Sequence, residues 1–397
     1  MANTVLTPTA VTRKALAILH QKLNFVGNVN RTYDASFAKT GAKIGDSLKI
    51  RLPNQFTVRS GASLSTQDVT ETSTTLQVAT QKGVDTTFSS SELTMSLDDF
   101  SARILEPAMS VLAANIEADA LAMYKDVYNV YDQDATAFAL SSMLGGRKIL
   151  NDNLAPMDDN RTALLTTDAA VKFMTDTKGL FQASDNIAKQ YREGIVGKTA
   201  GFSAYENTLL ATHQTGTAAK ASGYLSNGAT QSGASITVDT GTTSFLIGDV
   251  ITFAGVYRVH PETKVSTGVL QQFVITANSG TSATTLAISP AVVATGATQN
   301  VSNTIADNSA VVKVAAGASE TMTTNLLFHR DAFAFATADL LMPEGVDWSA
   351  REVFDGISLR IVRQYAISTD TFPCRIDVLY GYKAIRPQLA VRLHADG

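Results

Sequence analysis

"GDVITFAGVYRVH", residues 248–260, reads as part of a small β-barrel. The chain around it repeats the signal. "SITVDT" before it and "QQFVITAN", "TTLAISP" and "AVVKVAAG" after it are further short strand signals with turn residues between them, as in a barrel or sandwich. Between Val265 and Val312 the only charged residue is Asp307, and Ser, Thr, Gly and Ala dominate. The change of character begins near residue 214 and ends near residue 322. It predicts a self-contained β-domain set into a chain of another kind. Domain termini often lie close together, so insertion into a loop is physically cheap.

Outward from this block the pattern is mixed α+β. "NDNLAPMDDNRT" turns the chain, "ALLTT" reads as a buried strand, and "DAAVKFMTDT" as a helix capped by Asp168 or Thr167. "GFSAYEN" is strand-like. Beyond the block come "NLLFHRDAFAFATADL" and the alternating "SLRIVRQY" and "CRIDVLYGYKAIRP". Nearer the start, residues 7–26 predict a helix with Thr7 as cap, Pro8 in the first turn and an apolar stripe of Leu16, Leu19, Leu23 and Val26. Residues 44–59 alternate, with Leu48, Ile50 and Leu52 on one face and Lys49 and Arg51 on the other. Phe56 and Val58 resume the alternation after Pro53, and residues 74–88 alternate again. Together they predict a long, sparsely apolar β-hairpin or flap, marginal alone and expected to lie on a neighbouring surface. Residues 96–128 predict the longest helix. Ser96 caps it, Pro107 breaks or kinks it, and Met109, Leu112, Ile116, Met123 and Val127 form its stripe. A further helix is expected over residues 136–151.

The 397 residues are 45% apolar and 17% charged, enough for a sizeable core and two or three domains. A net charge of −4 and a pI of about 5.8 carry no basic excess for gripping nucleic acid. Cys374 is the lone cysteine, which rules out an intrachain disulfide framework and fits a reducing compartment. "MANTVLTPTAVTRK" has no apolar core of a signal peptide, and no run reaches the ~18 apolar residues of a membrane span. The expectation is a protein made and used inside a cell, with no membrane association.

Motifs for chemistry are weak. "GIVGKTAG", residues 194–201, contains Gly197-Lys198-Thr199, but a phosphate-binding loop needs a glycine where Arg192 stands. A turn before a strand is the better reading. His20, His213, His260, His329 and His394 show no metal-ligand spacing and read as core or surface histidines. No nucleophile elbow occurs. Cys374, in an apparent strand, reads as a buried thiol. Asp98-Asp99 and Asp158-Asp159 suit a helix start and a turn. No catalytic, metal-binding or cofactor-binding residue is assigned, and no cofactor is expected.

"NDNLAPMDDNRTALLTTDAAVKFMTD" resembles the turn–strand–helix of tailed-phage major capsid (coat) proteins. "AKQYREGIVGKTAGFSAYENTLL" is similar to the stretch that follows in that family. "GDVITFAGVYRV" and "FVITANSGTSATTLAISP" resemble the insertion domain of certain short-tailed-phage coat proteins, and "CRIDVLYGYKAIRPQLAVRL" their C-terminal strand. The resemblance implies an α+β Hong Kong 97-type capsid fold with an inserted all-β, barrel-like domain. The implied parts are an N-terminal arm at 1–39 and an extended loop at 40–90. Residues 91–213 would be the peripheral domain and first part of the axial domain, with a spine helix from Glu106 to Tyr128. Residues 214–320 would be the insertion domain, and 321–397 the remainder of the axial and peripheral domains. The implied function is noncovalent self-assembly into pentamers and hexamers of an icosahedral phage head enclosing double-stranded DNA. The implied partners are other copies of the chain, a scaffolding protein, a portal protein and a decoration protein. The implied location is the virion, assembled in the host cytoplasm.

One departure stands out. The related coat proteins carry a long charged loop before the "GD-I-FAGV" strand, whereas residues 216–248 here hold only Lys220 and Asp239. Ion pairs from this loop are therefore not expected to tie capsomers together. The expected assembly contacts are Leu16, Leu19 and Leu23 of the arm, and Arg51, Arg59 and Lys82 of the flap, the last three pairing with acidic groups on a neighbour. Solvated flap charges are the plainer alternative for each. Two other readings remain open. One is a phage tail-tube or decoration protein, which the long helix and split core disfavour. The other is a hydrolase with a β-insertion, which would need a cleft of perturbed acids.

Overall fold

Phe372–Ala384, a strand of 13 residues, organises the first of two units into which the chain divides. The computed structural model describes residues 11–15, 17, 23–33, 45, 47–64, 66–68, 71–88, 106–132, 138–177, 197–239, 241–315, 317–354, 357–369 and 371–394. The first unit comprises residues 1–50, 73–121 and 333–385. Phe372–Ala384 pairs antiparallel with Phe333–Ala338 and Ile357–Arg363 along one edge and with Thr80–Phe88 along the other; Trp348–Phe354 extends the sheet beyond Ile357–Arg363. Its alternation puts Ile376, Val378 and Tyr380 inside. Asp377 is also buried, and two guanidinium groups hold it: Arg360 at 2.6 Å and Arg375 at 2.8 Å.

Helix α1, Glu106–Leu121, belongs to this unit and buries Met109, Leu112 and Ile116 of the expected stripe. Pro107 sits in its first described turn, where proline is tolerated; the expected start at Ser96 lies outside the described residues. The α-helix ends sooner than the expected Tyr128. Ala122–Asp126 forms a tighter 3₁₀ turn, and Val127 N donates to Tyr124 O, three residues back. Glu117, which faces inward, accepts the backbone N–H groups of Phe25 and Val26, while Phe25 meets the Phe333 ring edge-on at 5.4 Å.

The flap differs from its sequence reading. Ser47–Arg51 and Ser73–Gln77 form a two-stranded pair, with Ile50 buried as the alternation predicts. Residues 52–60 form no strand, because among the described residues Phe56 and Val58 meet no partner strand to complete a ladder. Thr80–Phe88, read as the returning flap strand, is instead paired along its whole length with Phe372–Ala384.

The second unit comprises residues 51–72, 122–332 and 386–397. Its base is a six-stranded sheet in the order Val130–Asp132, Ala390–His394, Asn325–His329, Arg161–Leu165, Phe202–Glu206, Gly197–Thr199. The first pair and the Arg161–Leu165/Phe202–Glu206 pair are parallel, the rest antiparallel. Helices α2, Leu140–Asp152, and α3, Thr167–Thr177, flank it. The cap of α3 is Thr166, one residue before the expected pair: its Oγ1 accepts Ala169 N at 3.2 Å.

The chain leaves this base through Thr212–Gln214 and returns through Thr321–Thr323, and the two strands pair antiparallel as a neck. Between them lies a second six-stranded sheet in the order Gly233–Thr237, Thr285–Val292, Phe273–Ile275, Val250–Phe253, Ala310–Val314, Ala221–Leu225. Its end strands also meet. A Ser226–Val238 bridge, with Asn227 N to Thr237 O at 3.0 Å, closes the sheet into a barrel. Phe245, Ile251, Phe253, Phe273, Ile275, Ile288, Val301 and Val311 fill it. A hairpin of Tyr257–Val259 and Ser266–Leu270 projects from this region.

Candidate functional site

Two features of the fold bear on function: the joint between barrel and base, and the loop at residues 52–72. At the joint, His213 lies in the outgoing neck strand, opposite Met322. Its Nε2 is 3.0 Å from Asp249 Oδ1, and its Nδ1 is 3.2 Å from the Tyr124 hydroxyl. Asp249 immediately precedes the strand Val250–Phe253 of the "GDVITF" stretch. Its Oδ2 accepts Gly216 N at 3.0 Å and Leu246 N at 2.9 Å. Burial by itself would raise the Asp249 carboxyl. The bonds from His213, Leu246 and Gly216 outweigh that and hold it below the usual range. Gly248, at φ +98°, is required here, since a Cβ would press on the His213 ring.

Cations complete the joint. Arg392, from the C-terminal strand of the base, donates Nη1 to Gly248 O at 2.8 Å and lies 5.9 Å from the centre of the Tyr124 ring. Lys313 Nζ reaches Gly317 O at 2.5 Å and Gly216 O at 3.4 Å, so one ammonium clamps the entry and exit of the barrel. Burial lowers its pKa, with Asp249 and Glu320 opposing. Three further bridges surround the neck. Arg258 meets Asp152 of α2 at 2.9 Å, and Lys220 meets Asp132 at 3.3 Å. The Gln272 amide bonds both backbone groups of Val130, at 2.7 and 2.9 Å, and so occupies the open edge of the base sheet. The barrel is thus fixed to the base by side chains as well as by the neck.

The loop is the opposite case. Phe56 is 55% exposed, Val58 94% and Leu64 83%. Among its described residues the hydrogen bonds are local, such as Thr57 N to Gln67 Oε1 at 2.9 Å.

The structure does not gather the expected contact residues into one site. Leu16 and Leu19 lie outside the described residues, and Leu23 is buried within the chain. Arg51 pairs with Glu71 at 3.4 Å, and Arg59 bonds the carbonyls of Gly61 and Ser63. Lys82 pairs with Asp119 at 2.6 Å. Each flap cation is therefore satisfied in its own chain, and a contact with a neighbour would compete with that. The joint went unread because Tyr124, His213, Asp249 and Arg392 are far apart in sequence. The only local signal was the Gly248-Asp249 turn. Two of the other described histidines serve structure: His329 bonds Asp158 at 3.1 Å, and His260 accepts backbone N–H groups of its own turn. Among the described residues no three metal-ligating side chains converge, and no helix is long and apolar enough to cross a membrane.

Comparison with known proteins gives one strong match. The family model described as "P22 coat protein - gene protein 5" matches residues 3–394. No curated protein matches. Among solved structures, one from Mycobacterium phage Che8 is 12% identical, covers 94% of this chain and 90% of that one, and has a TM-score of 0.47. The capsid of Ralstonia phage GP4 is 7% identical over 95% and 92%, with a TM-score of 0.45. The CUS-3 coat protein I-domain is 24% identical, covers 25% of this chain and 94% of that one, and has a TM-score of 0.18. All three scores are too low to argue from.

Proposed function

Since the chain belongs to the P22 coat protein family and is a major capsid protein of a tailed phage, we propose that its copies close noncovalently, as pentamers and hexamers, into an icosahedral head around double-stranded DNA. The proposed fold is of the Hong Kong 97 type. In it, residues 1–39 are the arm, 40–90 the extended loop, and 91–213 with 321–397 the peripheral and axial domains, split around an insertion at 214–320. A scaffolding protein, a portal and a decoration protein are the proposed partners.

The observation that best supports assembly is the loop. Phe56, Val58 and Leu64 stand exposed on residues that form no strand with their own chain. Covering them on a second copy removes apolar surface from water at roughly 25 cal/mol per Å². A closed shell makes many such contacts at once, so individually weak ones suffice. Arg51 and Arg59 remain proposed contacts at the margin of that patch, and Leu16, Leu19 and Lys82 elsewhere.

The test is electron microscopy of the chain expressed alone and with its neighbouring genes, beside the triple variant Phe56→Asp, Val58→Asp, Leu64→Asp. Closed shells or hexamer-like spirals are expected of the native chain. The variant should stay as soluble subunits with an unchanged melting temperature. A native chain that is monodisperse and monomeric under both conditions would remove the reading. Shells formed normally by the variant would remove the loop's part in it.

A further inference from the structure

Arg392 is the group in the neck least satisfied by the chain itself. It is 1% exposed, and burial pulls its guanidinium down to about 10, so it stays charged at neutral pH. A guanidinium carries five N–H donors and no acceptor. Nη1 has Gly248 O, but Nε and Nη2 have no hydrogen-bond partner among the described residues. Of the two carboxylates that act on it, Asp249 and Asp126, Asp249 is already engaged. Asp249 gives Oδ1 to His213 and Oδ2 to the Gly216 and Leu246 amides. A buried charge left with so few partners is costly unless something else solvates it.

Two residues along the same strand, on the same face, His394 has the complementary need. A backbone hydrogen bond with Thr323 engages its ring, while Nδ1 has no partner among the described residues. Burial first, and the charge of Arg392 second, push this ring down to about 3, so it is neutral. With the other ring nitrogen donating to Thr323, Nδ1 is a bare acceptor.

Arg392 and His394 both line one cavity of about 10 Å³, with His213, Thr215 and Asp249 among its other walls. A space of about that size holds one water, and water enters cavities that offer it polar partners. We propose that this cavity is a structural water site, in which one bound water accepts a hydrogen bond from the Arg392 guanidinium and donates one to His394 Nδ1. A halide would suit the guanidinium, but it needs more room and cannot donate to a bare imidazole nitrogen. The joint between barrel and base is therefore wet. This inference does not depend on how the chain assembles.

The test is a map of the full chain, as crystal or assembled shell, at a resolution where other bound waters are visible. The expected result is a single peak at about 3 Å from both Arg392 and His394. A cavity without a peak, direct pairing of the orphaned atoms with protein groups, or a peak replaced by bromide in a soak would each overturn it. Val250→Ile supplies a second reading, because Val250 also lines the cavity. The added methyl displaces the water and should lower the melting temperature by about 2–4 °C. An unchanged or raised melting temperature would mean the methyl had filled a dry void, and would overturn the proposal.

Discussion

Asp249 accepts three hydrogen bonds where its own exposure is nearly nil, and this makes its charge a stability element. Its folded pKa lies below the unfolded value. The stabilisation is therefore complete above the unfolded pKa and is lost as pH falls through the folded one. Melting temperature should fall as the pH drops below about 4, the ordinary carboxylate range. Asp249→Asn should lower stability at neutral pH by about 3 kcal/mol, since a buried network loses one partner, and should flatten that acid slope. A pH series of thermal melts on both proteins checks it; equal acid slopes would place the sensitivity elsewhere. Cys374 gives a second residue-scale test. Burial pushes its thiol up to about 12, so native protein should not react with a thiol reagent at pH 8, while unfolded protein should react at once. Timed thiol titration with and without denaturant measures the difference.

At the scale of elements, strand pairing is set by what fits between backbones. Gly83 faces Asp377 across the Thr80–Phe88/Phe372–Ala384 pair, and a Cβ there would strike the Ile376 carbonyl. Gly83→Ala should cost about 1–3 kcal/mol and shift the denaturation midpoint down, with Thr87→Ala, farther along the same strand, as a control near zero. Gln272 acts on a different edge, where its amide takes the place of a strand beside Val130. Gln272→Ala should cost about 1–2 kcal/mol and speed hydrogen exchange at the Val130 amide selectively. Exchange unchanged at Val130 would mean that water replaces the amide without loss.

At the scale of the whole molecule, the barrel has its own core and closed hydrogen-bonding, and it enters and leaves through one paired neck. A fragment of residues 212–323 should therefore unfold cooperatively by itself, though at lower temperature than in the full chain because Arg392 and Arg258–Asp152 are missing. A calorimetric scan without a transition would show that the base is needed to fold it. Five strand signals in this region were legible in the amino-acid order, as was the buried strand read at "ALLTT", residues 163–167, which the structure places at Arg161–Leu165. Alternation and turn residues act within a few positions, and burial then follows one face. The same local rule misled at Phe56 and Val58, where alternation found no partner among the described residues, and at Thr80–Phe88, whose partner lies near the other end of the chain. Local order could place elements but not pair them. Which strand meets which, and that Arg392 comes to rest beside His213 and Asp249, depends on contacts between residues far apart in the chain. Only the folded molecule settles those contacts, because a buried charge has no preferred partner until burial brings one within reach.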